Sequence, residues 1–247
     1  MDKIVLFSAA SFGTSFLLGS IPWGLIISKI FYSRDIREYG SGNIGTTNAF
    51  RTMGAVGGSV VFVLDFLKGI LSGWLSMAFA VMAVADLSAV ATLAIVVGPH
   101  PVDVLGFPIV DSESLTAVNT HVFSLIACLG LAGSICGHVF SPWLRFKGGK
   151  GIAVAAGCIF AVFGIPAFLV LAGTFALMTI VTRYVSVGSI SAAAVAPLVA
   201  YWAMHREPFA VGLTTIVASL VVWAHRSNIA RLRAGNENRI GAKKKEE

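Results

Sequence analysis

The run KGGKG at 147–151 lies between two apolar segments and has the residue types that can hold a phosphate. Its glycines allow the backbone to approach an anion closely, and Lys147 and Lys150 supply positive charge. A flexible basic loop at a membrane surface would have the same composition, so the run alone leaves both interpretations open. It does not match a nucleotide-binding P-loop, because Leu144 stands where that motif requires its first glycine and the residue after Lys150 is neither serine nor threonine.

Two other polar segments contain groups that bind anions or transfer protons. Residues 40–54 read GSGNIGTTNAFRTMG and combine hydrogen-bonding side chains with Arg51, although a Gly-Ser-Asn turn explains much of this pattern. Residues 225–239 read HRSNIARLRAGNENR. His225 and Asn228 are three apart and would share one face of a continuing helix, where an imidazole beside an amide suits an anion or a moving proton. A basic helix next to the membrane is the alternative.

Further polar residues within apolar segments favour structural roles. Asp65 and Lys68 are three apart, which predicts a buried ion pair on one helix. His138 lies near a predicted helix end, where a structural hydrogen bond is more common than catalysis. In the segment RYVSVGSIS at 183–191, Arg183 would anchor the topology, and the serines could bond back to their own helix.

The composition places these groups in a membrane protein. Of the 247 residues, 56% are hydrophobic and 12% are charged, and the mean hydropathy is +0.84. In soluble domains about a quarter of the residues are charged. The first apolar stretch is too long for the core of a cleavable signal peptide. The net charge of +6 fits anionic lipids or substrates, and no basic surface interleaved with aromatic residues indicates nucleic-acid binding.

Apolar segment lengths predict an all-α polytopic membrane protein with about seven transmembrane helices. These are expected at roughly 4–31, 58–85, 121–140, 152–164, 166–182, 188–204 and 208–224. The fourth is short for a ~30 Å hydrocarbon core at about 1.5 Å per residue, so it would tilt, bend or cross only in part.

The distribution of Lys and Arg along the chain predicts that the N-terminus lies outside the cell and the C-terminus inside. Fifteen of the eighteen Lys and Arg residues fall in four groups, at 29–51, 145–150, 183 and 226–245. Seven crossings would put all four groups on one face, and the positive-inside rule makes that face cytoplasmic. The segment 86–120 would lie on the opposite face, with four acids and no Lys or Arg.

One integral membrane domain is expected over residues 1–247. It would include an extracytoplasmic insert at about 86–120 and a basic cytoplasmic tail at about 226–247 that contacts lipid headgroups. Cys128, Cys136 and Cys158 all lie in apolar segments, and their odd number argues against a disulfide framework. No His/Cys spacing indicates a metal site.

Six blocks of the chain, in order, resemble those of the bacterial acyl-phosphate:glycerol-3-phosphate acyltransferases. They are GSIPWG (19–24), DIREYGSGNIGTTNAFRTMG (35–54), LDFLKG (64–69), GHVFSPWLRFKGGKGIA (137–153), RYVSVGSI (183–190) and HRSNIARLRAGNENR (225–239). The resemblance covers nearly the whole chain except 86–120. The chain departs from the family pattern at Thr46, where alanine is usual, at Ser141, which precedes the proline, and at Arg145, which replaces lysine.

This resemblance implies a seven-helix enzyme of the bacterial inner membrane whose active site faces the cytoplasm. It would transfer a fatty acyl group from acyl phosphate to the 1-hydroxyl of glycerol 3-phosphate, giving lysophosphatidate and phosphate. This is the first acylation step of phospholipid biosynthesis. The expected partners are the two substrates and membrane lipid, with no cofactor, metal, nucleic acid or required protein partner.

The resemblance implies that Ser41, Arg51, Lys150, Ser189, His225 and Asn228 match positions lining the active site, and the polar segments around them supply the remaining site residues. The expected catalytic residues are Ser41, Arg51, Lys150, His225 and Asn228. The expected substrate-binding residues are Gly42, Asn43, Thr47, Asn48, Lys147, Gly148, Gly149, Gly151 and Ser189. The cations would neutralise phosphate charge, the backbone of Gly148–Gly151 would donate N–H groups to glycerol phosphate, and the other side chains would orient oxygens. The general base stays open: His225 is favoured as an orienting group, and the acceptor's own phosphate could take the proton.

Two other functions compete with this assignment. A transporter for an anionic solute would also need polar groups in a membrane, but the polar clusters crowd one face and no inverted repeat is visible. A metal-dependent lipid phosphotransferase would need clustered carboxylates, whereas Asp35, Glu38 and Glu237 are scattered along the chain.

Overall fold

A computed structural model describes residues 2–84 and 117–241 of the chain. Most of the predicted insert at 86–120 lies outside the described residues, and so does the end of the predicted tail, 242–247. The regular structure within the described ranges is helical, which confirms the all-α prediction. The helices are α1 (Asp2–Ser20), α2 (Trp23–Tyr32), α3 (Thr46–Val84), α4 (Ala117–Val139), α5 (Ile152–Thr182), α6 (Val185–Ala203), α7 (Pro208–Ala224) and α8 (Arg226–Arg233). Short 3-10 turns at Ile36–Glu38 and Pro142–Leu144 follow α2 and α4.

Five of the described helical segments are long and apolar enough to cross a membrane. They are Lys3–Tyr32, Thr46–Val84, Thr120–Leu144, Ile152–Thr182 and Val185–Ala203, and the pair α7 and α8, bent by 53°, would make a sixth. The predicted count of seven is not confirmed by this criterion. The structure joins the predicted helices 152–164 and 166–182 into α5, and it starts the predicted helix 58–85 earlier, at Thr46.

The two longest helices are each interrupted by a glycine. Gly54 in α3 has φ 73 and ψ −168, and Gly164 in α5 has φ 81 and ψ 175. Side chains other than glycine rarely adopt these angles. Phe50 occupies the space where a side chain at Gly58 would lie, which shows that the chain folds back beyond Gly54. We call residues 46–53 the short arm of α3.

The chain also doubles back inside α5. Phe160 and Phe168 are eight residues apart, yet their ring centroids lie 5.6 Å apart in an edge-to-face contact. Lys150, just before α5, contacts Asn228 of α8, and the carbonyl of Arg183, just after α5, accepts a hydrogen bond from the Ile240 amide (2.9 Å). Both ends of α5 therefore meet the C-terminal segment, whereas a straight helix of 31 residues would separate its ends by about 45 Å.

Small residues allow the helices to pack closely. A side chain at Gly19 of α1 would overlap the backbone of Ser134 in α4, and one at Gly157 of α5 would overlap the backbone of Phe66 in α3. Such contacts are typical of membrane helices, where close van der Waals packing replaces the hydrophobic effect between helices. The main apolar core lies between α4, α5, α6 and α7.

The predicted ion pair on α3 belongs to a larger buried cluster. Lys68 Nζ lies 2.8 Å from Asp65 Oδ1, and both side chains are almost fully buried. The same ammonium donates to the carbonyl of Ile21 (2.7 Å), next to Pro22 at the break between α1 and α2. It also lies 3.1 Å from Nδ1 of His138 near the end of α4. Lys68 thus joins three parts of the chain.

Candidate active site

A cavity of about 330 Å³ opens among α3, α4, α5, α6 and α7. Hydrogen-bonding and charged groups line one end, which we call the polar end. These are Ser41, Asn43, Thr46, Thr47, Asn48, Arg51, Lys150, Ser186, Ser189, His225, Asn228, Glu237 and Asn238. The remaining lining also includes Asp65, His138 and Thr214 but is mostly apolar, and we call it the apolar arm. A cavity with these two parts suits a ligand that has a charged head and a hydrocarbon chain.

Lys150 begins a chain of polar contacts at the polar end. Its ammonium donates to Asn228 Oδ1. The Asn228 amide donates in turn to Glu237 Oε1 (2.6 Å), and Arg231 donates to Glu237 Oε2 (2.7 Å). These contacts connect the loop before α5 with α8 and with the segment that follows it.

Burial controls the charge of Lys150. It lowers the pKa of the ammonium to about 8, and the positive charge of Arg231 acts in the same direction. Glu237 opposes the shift, and Arg51 adds to it. The lysine is therefore close to half-charged in mildly alkaline solution, and an incoming anion would favour its protonated form.

Glu237 stays ionised despite its partial burial. Burial raises the pKa of its carboxyl group, but the hydrogen bonds from Asn228 and Arg231 outweigh this and leave the pKa lowered. The carboxylate forms an ion pair with Arg231 of α8 and accepts a hydrogen bond from Asn228 of the same helix.

His225 lies at the bend between α7 and α8, is only 2% exposed and lines the cavity. Its Nδ1 is 2.8 Å from the carbonyl of Val221. A carbonyl can only accept, so Nδ1 carries the proton and Nε2 of the neutral imidazole is left as an acceptor. The ring can therefore receive a hydrogen bond from a hydroxyl group.

The loop before α3 is organised by Asn48, which is 1% exposed. Its amide nitrogen lies 3.1, 3.0 and 2.8 Å from the carbonyl oxygens of Ile36, Tyr39 and Asn43. Its Oδ1 accepts the backbone N–H of Ser41 at 2.8 Å. Most of its hydrogen-bonding capacity is therefore used inside the protein, and Asn48 acts by placing Ser41 at the cavity.

The short arm of α3 then brings Arg51 to the same cavity, together with Thr46 and Thr47. Arg51 lies one helical turn beyond Thr47 and is exposed at the surface of the short arm. The glycine break at Gly54 gives this arm its direction, separate from the long part of α3.

The expectation for the KGGKG backbone needs correction. The N–H of Gly148 donates to the carbonyl of Val139, and the N–H of Gly149 donates to the carbonyl of His138, both at 3.0 Å. Side chains at these two glycines would overlap the His138 carbonyl or its imidazole. The two glycines thus let the loop close over the end of α4, and their amide groups are not available to a phosphate.

The structure brings most of the predicted site residues to the cavity. The exceptions are Gly42, Lys147, Gly148 and Gly149, which do not line it. Gly42 has a φ of 68 and serves the turn, and Lys147 is exposed. Gly151, which has a φ of 78 at the start of α5, does line the cavity.

Sequence reasoning missed Glu237, Asn238, Ser186 and Thr46 as cavity residues. The single acid in the basic segment 225–239 was a usable signal for Glu237, because a lone carboxylate among cations finds an ion-pair partner. Ser186 and Thr46 gave no comparable signal. Among the described residues, no three His, Cys, Asp or Glu side chains are grouped so that they could hold a metal ion.

The sequence is similar to known proteins over most of its length. A sequence model of the glycerol-3-phosphate acyltransferase family matches residues 9–235. The glycerol-3-phosphate acyltransferase of Trichlorobacter lovleyi is 37% identical over 228 residues, which covers 92% of this chain and 95% of the relative. That of Desulforamulus reducens is 37% identical over 236 residues, covering 93% of this chain and 94% of the relative.

Solved structures show the same fold. The crystal structure of PlsY (YgiH), an integral membrane glycerol 3-phosphate acyltransferase, in its glycerol 3-phosphate form matches with a TM-score of 0.70 and 29% identity. The match covers 95% of this chain and 96% of that one. The lysophosphatidic acid form matches with a TM-score of 0.68, 28% identity and 95% coverage of each chain. The chain is therefore an integral membrane protein that belongs to the glycerol-3-phosphate acyltransferase family.

Proposed function

We propose that this acyltransferase moves a fatty acyl group from acyl phosphate to the 1-hydroxyl of glycerol 3-phosphate, yielding lysophosphatidate and inorganic phosphate. The observation that carries the proposal is the single cavity in which Arg51 and Lys150 adjoin an apolar arm. The family and the two PlsY structures, one with glycerol 3-phosphate and one with lysophosphatidic acid, support an acceptor and a product of this chemistry.

The reaction needs little covalent help from the protein. The acceptor oxygen forms a bond to the acyl carbon, the bond from that carbon to the phosphate oxygen breaks, and the hydroxyl proton departs. Phosphate is already a good leaving group in a mixed anhydride. The protein therefore contributes mainly by holding the hydroxyl near the carbonyl and by stabilising negative charge.

The cations and hydrogen-bond donors divide this task. Arg51 offers a planar fork that suits a phosphate, and Lys150 offers an ammonium held by Asn228. Ser41, on the loop before α3, and Ser189, on α6, also line the cavity and orient oxygens. The acyl chain occupies the apolar arm, with its carbonyl at the polar end.

His225 orients the acceptor hydroxyl in this mechanism. Its Nε2 accepts the hydroxyl hydrogen bond, and the phosphate of the acceptor takes the proton as the new ester bond forms. We therefore expect His225→Gln to keep most of kcat and to raise KM for glycerol 3-phosphate. Steady-state kinetics with saturating acyl phosphate measures both, and a loss of kcat by about 10²-fold or more would instead identify His225 as the general base.

We also infer one membrane domain with seven crossings in the bacterial inner membrane and a polar end that faces the cytoplasm. The reversal at Gly164 supports this count, because it makes the two halves of α5 the fourth and fifth crossings. The N-terminus is then outside and the C-terminus inside. The segments that carry Ser41, Lys150, Arg183 and Asn228 then all lie on the face with most of the Lys and Arg residues, which the positive-inside rule makes cytoplasmic.

A donor comparison tests the function. Purified protein in detergent, with EDTA present, is given glycerol 3-phosphate together with either acyl phosphate or acyl-CoA. Lysophosphatidate should form only from acyl phosphate, and Arg51→Ala and Lys150→Ala should each reduce its formation by about 10²-fold or more. Lysophosphatidate formation from acyl-CoA alone would contradict the donor assignment. Uptake of glycerol phosphate into proteoliposomes without any acylation would favour the transporter.

A further inference from the structure

The imidazole of His138 lies between the buried ammonium of Lys68 and the loop that carries Lys150. His138 is the next-to-last residue of α4 and is only 4% exposed. On one side, its Nδ1 lies 3.1 Å from Lys68 Nζ. On the other side, the three atoms nearest to a side chain placed at Gly149 are Nε2, Cδ2 and Cε1 of this ring. The ring therefore fills the space between α3 and the loop.

Lys68 fixes the orientation of this ring. Within the described part of the chain, its ammonium contacts Asp65 Oδ1 (2.8 Å), the carbonyl of Ile21 (2.7 Å) and His138 Nδ1. These contacts match the three protons of an ammonium. Since an ammonium can only donate, Nδ1 accepts, and the proton of the neutral imidazole lies on Nε2. The edge of the ring that carries Nε2 is thereby turned towards Gly149.

His138 also holds the loop through its backbone. Its carbonyl accepts the N–H of Gly149, and the carbonyl of Val139 accepts the N–H of Gly148, both at 3.0 Å. Gly149 therefore meets His138 twice, at the carbonyl and at the ring, and Lys150 is the next residue. The loop has no room to move towards α4, so the position of the ring limits where Lys150 can lie.

We propose that His138 is a positioning residue for the acyl transfer, which sets the place of Lys150 at the polar end, and that Lys68 orients His138 for this task. This inference rests on the proposed acyl-phosphate function. The role requires no contact between His138 and either substrate. The buried ion pair of Asp65 and Lys68 then serves the chemistry as well as the fold, because its ammonium also holds the ring that supports the loop.

A displacement of Lys150 has a readout that a mere loss of stability does not share. Burial is the largest cause that lowers the pKa of its ammonium to about 8; the charges of Arg231 and Arg51 act in the same direction, and Glu237 opposes them. The imidazole of His225 also lies near enough to interact with this charge. A loop pushed away from α4 admits water to the ammonium, so its pKa should rise towards that of an ordinary lysine. The alkaline fall in kcat/KM then moves to higher pH.

Two single variants test the contact from its two sides, in purified protein with saturating acyl phosphate. Gly149→Ala places a methyl group against the ring, and the backbone tolerates alanine because the φ of Gly149 is not positive. His138→Asn removes Nε2 and Cε1 but keeps an oxygen that can accept from Lys68. Each variant should lower kcat/KM for glycerol 3-phosphate by up to about 10²-fold. Each should also move the alkaline fall upward by about one pH unit.

The double variant, Gly149→Ala with His138→Asn, separates positioning from general damage. The methyl group occupies space that the ring leaves, so the double variant should be about tenfold more active than Gly149→Ala alone. Its alkaline fall should return towards about pH 8. Gly13→Ala is the matched control and should leave the rate and the pH profile unchanged, because a side chain there would meet nothing within 4 Å. Additive losses in the double variant, or an alkaline fall that stays near its wild-type pH in both single variants, would overturn the inference.

A paired change tests the orienting role of Lys68. Asp65→Asn with Lys68→Met removes the donor to Nδ1 without leaving a charge unpaired. Its alkaline fall should move upward as in His138→Asn, even where thermal unfolding shows that stability is recovered. An unchanged pH profile in this variant would overturn the role of Lys68. Failure of the wild-type protein to form lysophosphatidate from acyl phosphate would overturn the proposed function as well, whereas an active wild type with unshifted variants would overturn this inference alone.

Discussion

Lys150 and Asn228 illustrate how single residues control the chemistry of the polar end. Asn228 turns its amide oxygen to Lys150 and its nitrogen to Glu237, so it holds a donor and a carboxylate on its two sides. Glu237 is already bonded to Arg231, and within residues 2–84 and 117–241 no carboxylate forms an ion pair with the Lys150 ammonium. Its charge remains available to a phosphate.

The pKa of Lys150 predicts an alkaline limit on activity. The group is charged below about pH 8, so kcat/KM for glycerol 3-phosphate should fall as pH rises through that value, by up to about tenfold per pH unit. Phosphate esters have a second pKa of about 6 and are fully ionised at about pH 8, so their titration does not cause this fall in kcat/KM. The measurement is a pH–rate profile at low concentrations of the acceptor.

Lys150→Arg is the matching variant. Arginine stays charged throughout this range, so the alkaline fall near pH 8 should disappear even if the overall rate is lower. An unchanged alkaline fall in Lys150→Arg would show that another group causes it.

Several cavity residues could be recognised from the sequence because their types are suited to binding anions or moving protons. Arg51, Lys150, His225 and Asn228 all lie in polar segments that stand out from apolar surroundings, and all line the cavity. The use of the Gly148 and Gly149 amides was not predictable. Whether a backbone N–H faces a ligand or the end of a helix such as α4 depends on contacts that only the folded chain makes.

At the scale of elements, the two glycine breaks decide where the site residues lie. Residues 46–51 are rich in polar side chains and looked like a loop in the sequence, yet they form the short arm of α3. The capacity of Asn48 to bond four groups from the preceding loop stabilises this local helix start. Helix boundaries here follow from long-range contacts, which periodicity alone does not reveal.

The fold-back at Gly54 predicts a penalty for adding a side chain at Gly58. Gly58→Ala would place a methyl group against the ring and backbone of Phe50 and should reduce the free energy of unfolding by about 1–3 kcal/mol. It should also lower activity, because the short arm carries Arg51. Thermal unfolding in detergent and initial rates measure the two effects.

Gly212→Ala provides the control for this change. Gly212 also lies in a helix, but a side chain there would meet nothing within 4 Å. Alanine should therefore leave stability unchanged or raise it by up to about 1 kcal/mol. Equal losses of stability in both variants would contradict the fold-back.

The buried cluster around Lys68 predicts a strong asymmetry between single and double variants. Lys68→Met leaves Asp65 buried without its cation and should cost about 3–5 kcal/mol of stability. The double variant Asp65→Asn with Lys68→Met removes both charges and should recover a large part of that loss. Thermal unfolding of the three proteins in the same detergent measures this, and equal stability of the single and double variants would contradict the role of the ion pair.

At the scale of the whole molecule, the resemblance of six ordered blocks predicted the family correctly, and the long uncharged segments predicted a helical membrane protein. The number of helices was harder to predict. The two helices predicted at 152–164 and 166–182 correspond to the two halves of α5, and the break that Pro166 suggested lies at Gly164, two residues earlier.

Surface labelling tests the proposed topology. Single cysteines are introduced at Arg145, Arg183 and Arg206, three exposed positions, in a background where the native Cys128, Cys136 and Cys158 are replaced by alanine. A membrane-impermeant thiol reagent added to intact cells should label Arg206→Cys only. Arg145→Cys and Arg183→Cys should be labelled only after the cells are opened. Labelling of Arg183→Cys in intact cells would mean that α5 crosses once, and it would remove the seven-crossing arrangement.

The reversal at Gly164 has a consequence for biogenesis. Residues 152–163 extend about 18 Å as a helix, too little for a translocation channel to release them into lipid as an independent span. In the proposed seven-crossing topology they wait in the channel until residues 165–182 have been synthesised, and the two halves of α5 then enter the bilayer as a hairpin. Lys150, which we propose binds phosphate, reaches its final depth only after that step, so the cavity gains this cation late in synthesis, when most of the chain has already left the ribosome.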